Sequence, residues 1–128
     1  WPDDPREFIL AYLDAWNEAD VERVIDAFHV PSLIHTEGQV IEHLTGASRL
    51  EFLGSYVDST KEALAAGGRW SAPTVEVKPL GADAALVTAN WVFTTGAGAV
   101  TEDYFDSYLV TVIGGRWYVL ADAIHRAG

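Results

Sequence analysis

The first apolar pattern has the period of a helix. Asp4-Pro5-Arg6-Glu7 supplies a cap, a proline suited to the first turn and an acid, and Phe8, Ile9, Tyr12, Leu13 and Trp16 then recur at three- and four-residue spacing. This predicts a helix over residues 5–17. Asp20 caps a shorter one, whose stripe is Val21, Val24, Ile25 and Phe28 and which must stop before Pro31. Ser32–Thr36 reads as a short strand, Glu37-Gly38 as its turn, and Val40–Leu44 as the returning partner. From Thr45 onward Leu50, Leu53, Tyr56, Val57, Thr60 and Leu64 restore the helical period until Gly67-Gly68 ends it.

After Gly68 the pattern is β to the end. Arg69–Leu80, Ala84–Thr95, Val100–Ile113 and Arg116–Ile124 are strand-like runs joined by Gly-Ala-Asp, Gly-Ala-Gly-Ala and Gly-Gly. Such short connections make an antiparallel meander. Three helices followed by a meander, with one small hairpin between them, is an α+β arrangement: helices on one face of a bent antiparallel sheet, in a single domain over residues 1–128.

Composition narrows the function classes. At 49% hydrophobic and 12% aromatic residues the chain is globular, and nineteen acids against eight bases give a formal charge of -11. Nucleic acid and anionic membranes are disfavoured as partners, and a small apolar molecule, neutral or cationic, is favoured. Without cysteine there is neither a disulfide framework nor thiolate chemistry, which suits the cytoplasm. No run reaches the roughly 18 apolar residues of a membrane helix. The chain starts at Trp1 and contains no methionine, so removal of an N-terminal segment is expected. No phosphate loop, dinucleotide fingerprint or nucleophile elbow occurs, and His29, His43 and His125 share no ligand spacing, so neither cofactor nor metal is expected.

Two segments carry a resemblance. YLDAWNEADVERVIDAF followed by HVPSLIHTEG, and the closing GGRWYVLADAIH, resemble the opening and last strand of the cone-shaped superfamily of nuclear transport factor 2, ketosteroid isomerase and the SnoaL-like cyclases. The resemblance spans essentially the whole chain. It implies a cone with a cavity between helices and sheet, and it leaves the chemistry open, since the fold hosts enzymes and pure binding domains alike.

The acids of the last hairpin decide the candidate site. With Gly114-Gly115 as a two-residue turn, Ile113 faces Arg116 and Asp122 faces Ser107. Asp122 then shares a face with Ser107, Leu109, Tyr118 and Ile124, while Asp106 lies on the other with Tyr104, Tyr108, Val110, Trp117 and Val119. A bulge in either strand would reverse this. The resemblance to SnoaL-like cyclases implies that Asp122 looks into the cone as general base, leaving the face of Asp106 to a homodimer contact. The expected ligand-binding residues are Trp16 and Tyr56 from the helices and Asn90, Ser107, Leu109, Tyr118 and Ile124 from the strands. Asn90 has another reading, a bond to an exposed backbone edge. The resemblance to ketosteroid isomerase implies a hydrogen-bond donor at Tyr12, which also fits a packed core tyrosine on the stripe of Phe8 and Trp16. An ungapped overlay on that isomerase puts Thr36 where it has a catalytic aspartate. His35 beside it is an alternative base or an exposed histidine.

Three functions remain open: a SnoaL-like small-molecule-binding protein, a cofactor-independent isomerase, cyclase or dehydratase, and a protein-binding accessory domain acting through its sheet face.

Overall fold

In the computed structural model Asp4 caps α1 (Pro5–Asn17), its carboxylate accepting from the Glu7 amide at 3.0 Å, and Asp20 does the same for α2 (Val21–Asp26) at Arg23. The structure describes residues 1–36 and 39–126, with the backbone alone over 39–44. The expected turn at Glu37-Gly38 therefore lies outside the described residues. Strands β1 (Phe28–Thr36) and β2 (Gln39–Leu44) pair antiparallel. Phe28, expected at the end of the second helix, instead opens β1, and it is fully buried there. A reciprocal Thr45–Ser48 cap then starts α3 (Gly46–Ala65).

The remaining strands are β3 (Arg69–Ser71), β4 (Val75–Pro79), β5 (Ala84–Thr94), β6 (Val100–Ile113) and β7 (Arg116–His125). The run expected as one strand over Arg69–Leu80 is two, because Pro73 has no N–H for the ladder. Both pieces pair with β5, and the sheet order is β2-β1-β7-β6-β5-β3 with β4 also on β5. The meander is antiparallel throughout, and β1 joins it by lying parallel to β7.

The β6–β7 hairpin turns on Gly114 and Gly115, both at positive φ (58° and 83°), which glycine adopts without cost. Pairing starts as expected, Ile113 with Arg116, and holds to Val110 with Val119. It then slips: Leu109 pairs with Ala121, leaving Leu120 as the extra residue of a β-bulge. Beyond it Asp122 faces Tyr108, not Ser107, and Asp106 faces Ile124. Asp106 and Asp122 thus lie on the same face of the sheet, diagonal across adjacent strands, which corrects the expectation that they face opposite ways.

That common face is the inner one. Tyr108, Val110, Trp117 and Val119 are between 0% and 5% exposed and pack into the core beneath the helices. The outer-face dimer patch expected from these residues and Tyr104 therefore does not exist. The outer face carries Phe105, Ser107, Leu109 and Tyr118 instead, all half-buried.

Tyr12 stands at the centre of the core, with ring centroids of Phe28, Trp91, Tyr108 and Trp16 at 5.9, 6.0, 6.0 and 6.3 Å, all edge to face. At the end of α1, Asn17 clamps the helix to β3: its Nδ2 donates to the Trp70 carbonyl (2.9 Å) and its Oδ1 accepts from the Trp70 amide (2.8 Å). Asn17→Ala removes both bonds and leaves the half-buried Trp70 peptide unpaired. At roughly 1 kcal/mol per bond plus the desolvated partner, the expected loss is about 1–3 kcal/mol, seen as a lower urea midpoint with an unchanged m-value.

Candidate functional site

The inner face of β6 and β7 ends in a pocket. Its deep part, about 60 Å³, holds the two carboxyls of Asp106 and Asp122, with Leu53 of α3 opposite. Four phenols surround them, Tyr12, Tyr56, Tyr104 and Tyr108, and three indoles, Trp16, Trp70 and Trp91. A wider chamber of about 580 Å³ shares Trp16, Tyr56, Trp70 and Tyr104 with it and forms its mouth. That mouth is edged by Thr36, Thr60, Glu102, Ile124 and Arg126.

Both acids are 5% exposed, and an oxygen of each, Oδ1, is buried without a hydrogen-bond partner. The indole N–H groups of Trp70 and Trp91 are likewise buried and unpartnered. Native interiors seldom leave such groups unmade, since each costs about 1–3 kcal/mol.

Burial pushes the Asp106 carboxyl up to about 6, while the Asp122 carboxyl and the Tyr108 phenol, as hydrogen-bond partners, and the charge of His125 restrain the rise. Asp122 is driven much further up, by burial first and then by the adjacent charge of Asp106 and the hydrogen bond to it. Two buried carboxyls that bond to each other cannot both ionise cheaply, so the pair titrates as a unit and holds one proton between them above about pH 6. Burial, with the charges of the two acids, also raises the phenols of Tyr12, Tyr104 and Tyr108, which remain neutral donors.

The sequence-predicted residues separate into two groups. Asp122, Tyr12, Trp16 and Tyr56 converge on the deep pocket, and Ile124 lies at the mouth. The others do not converge with them. His35 pairs with Ala123 on the opposite side from the buried Ile34, and Asn90 bridges to β6 through the Asp103 carboxylate (2.9 Å) and the Tyr104 carbonyl (3.0 Å). Ser107 bonds Thr88 and His125 on the outer face, at 3.0 and 2.9 Å. Leu109 pairs with Ala121 beside the bulge, and Tyr118 stacks under the Arg116 guanidinium at 3.9 Å. Arg116 itself is held by Asp26 at 2.9 Å. Asp106, Tyr104, Tyr108, Trp70 and Trp91 are the pocket residues that strand parity missed or sent to the wrong face.

Among the described residues no three His, Asp or Glu side chains cluster as a metal site, and no helix is long and apolar enough to cross a membrane.

The pair has a thermodynamic signature. A carboxyl with a raised folded pKa binds its proton more tightly when folded, so the stability linked to it is full below the unfolded value near 3.8 and is lost as pH rises through about 6. Asp106→Asn therefore stabilises the fold at pH 7.5, by about 1–3 kcal/mol, and adds nothing at pH 4. Asp122→Asn removes an acid whose folded value is raised further still, so it should stabilise the fold at pH 7.5 at least as much and likewise add nothing at pH 4. Urea denaturation of the three proteins at both pH values measures this.

The fold has relatives among solved structures. An NTF2-like protein of unknown function from Pseudomonas putida KT2440 superposes with a TM-score of 0.77 at 13% identity, over 94% of this chain and 82% of that one. An NTF2-like protein with a cystatin-like fold from Novosphingobium aromaticivorans gives 0.75 at 14% identity, over 93% and 77%. A ketosteroid isomerase-like protein from Erwinia carotovora atroseptica gives 0.65 at 22% identity, over 95% and 92%. These likenesses show the α+β cone. No curated protein matches the chain significantly. The model of one family, described as NTF2-like protein (DUF6841), matches residues 3–127, and the chain belongs to that family.

Proposed function

We propose that this protein binds a small, largely apolar molecule, whose polar group reaches the Asp106–Asp122 pair at the bottom of the pocket. The unpartnered Oδ1 atoms of the two acids carry this reading. A purely structural acid pair would be expected to satisfy its oxygens, whereas a site awaiting a ligand leaves them for it. The chamber of about 580 Å³ falls in the size range of small-molecule sites, and it speaks against an accessory domain whose interior is filled by side chains.

A second reading, proton-transfer catalysis without a cofactor, draws on the unequal protonation of the pair. Asp106, near 6, serves as base, and Asp122 holds a proton to donate, with Tyr108 and Tyr12 as neutral donors beside them. This moves the base from Asp122, where the family resemblance had put it, to Asp106.

Native mass spectrometry of the protein purified from cells should find a bound compound, and Leu53→Trp, which fills the deep pocket, should lose it. Recovery of the same compound from Leu53→Trp would contradict the site. For the catalytic reading, the protein in D2O should exchange the α-protons of a small ketone, at a rate cut at least about 100-fold in Asp106→Asn. Exchange equal in wild type and variant would leave binding alone.

A further inference from the structure

We infer that the ligand carries a single positive charge, as a protonated amine or quaternary ammonium, seated between Asp106 and the aromatic walls of the deep pocket. The inference rests on the small-molecule-binding reading and gives the ligand its chemical class.

Three observations lead to it. First, no Lys, Arg or His side chain lines the deep pocket among the described residues, although two carboxyls do. Two adjacent buried carboxyls sharing a proton hold one negative charge, and a buried charge without a counter-ion is costly unless something neutralises it. A monocation fits that charge, and an anion is repelled by it.

Second, the rest of the lining is aromatic. Among the described residues, four phenol rings and three indoles surround the acids, with Leu53 as the one aliphatic side chain. Aromatic faces attract cations through the ring quadrupole, most strongly where water is excluded. A neutral apolar ligand needs only hydrophobic walls, which leucine and valine supply equally well. Third, the dimensions separate a head from a body. About 60 Å³ admits a small ammonium head, and the chamber of about 580 Å³ outside it takes the remainder. The overall charge of -11 draws cations toward the protein.

The competing feature is the pair of unpartnered indole N–H groups, on Trp70 and Trp91, which favour a ligand bearing an acceptor such as a hydroxyl. Benzylamine, benzyl alcohol and benzoate separate the possibilities, having nearly one shape and three charges. Binding is read from tryptophan fluorescence and from indole N–H shifts by NMR. At pH 7.5 benzylamine should bind at least about tenfold more tightly than benzyl alcohol, with benzoate weakest. Asp106→Asn, isosteric and expected to remain folded, should bring amine and alcohol to similar affinity, and a thermal melt checks the fold.

Lowering the pH to 5, where benzylamine remains a cation and Asp106 takes up a proton, should weaken the amine about tenfold and leave the alcohol unchanged. The other ionisable groups at the site are Tyr12 of α1, Tyr56 of α3, Tyr104 and Tyr108 of β6 and Asp122 of β7, with Glu102 and Arg126 at the mouth and His125 acting on Asp106 from the last strand. Benzyl alcohol binding as tightly as the amine, or a preference that survives in Asp106→Asn, would overturn the cationic ligand while leaving a small-molecule site. If none of the three probes binds, the small-molecule reading falls with it.

Discussion

One unpaired residue, Leu120, sets the chemistry of the interior. A hairpin with strict alternation would put Asp122 and Asp106 on opposite faces, and each acid would meet different surroundings. The bulge advances β7 by one residue beyond Val119, so that Trp117 and Val119 point into the core before it and Asp122 and Ile124 point inward after it. The apolar half of the strand packs the cone, and the half beyond the bulge brings an acid to its partner on β6. Bulges often re-aim side chains next to sites, and here the re-aimed group is a carboxyl.

Holding two acids in an apolar interior requires surroundings that cannot relax around them. The edge-to-face cluster centred on Tyr12 supplies that on the helix side, and it continues through Trp70 to Phe93 and Tyr104 on the sheet side. The Asn17 clamp fixes Trp70 relative to α1. The mouth is more open by comparison: Tyr56, on α3, is 53% exposed while lining both parts of the pocket.

The elements were legible because their signals are local. Caps at Asp4 and Asp20 and the helical stripes placed three helices, and the Gly-Gly turn placed the last hairpin, all within a few residues. Pro73, which splits a strand, was visible as a residue, though its effect depends on pairing with β5. The face of each strand was not legible, since it depends on a bulge that no residue type announces: Leu120 and Ala121 are ordinary strand residues. One signal was available and pointed the right way. The set with Tyr104, Tyr108, Trp117 and Val119 is bulkier than the set with Ser107, Thr111 and Leu109, and the larger apolar payload belongs in the core rather than at a dimer contact. Trp16 and Tyr56 lie on helical stripes, whose periodicity does not slip in this way, and Tyr12 was marked by the resemblance to ketosteroid isomerase.

The central claim is that Asp106 and Asp122 meet in the pocket and share one proton. Carboxyl 13C NMR titration of aspartate-labelled protein, with Asp106→Asn and Asp122→Asn to assign the signals, tests it directly. The account predicts a transition for Asp106 near pH 6, with Asp122 remaining protonated well above that, and a shift of either signal when the other acid is replaced. Two independent transitions near the ordinary aspartate value of about 4, each indifferent to the other's replacement, would contradict it.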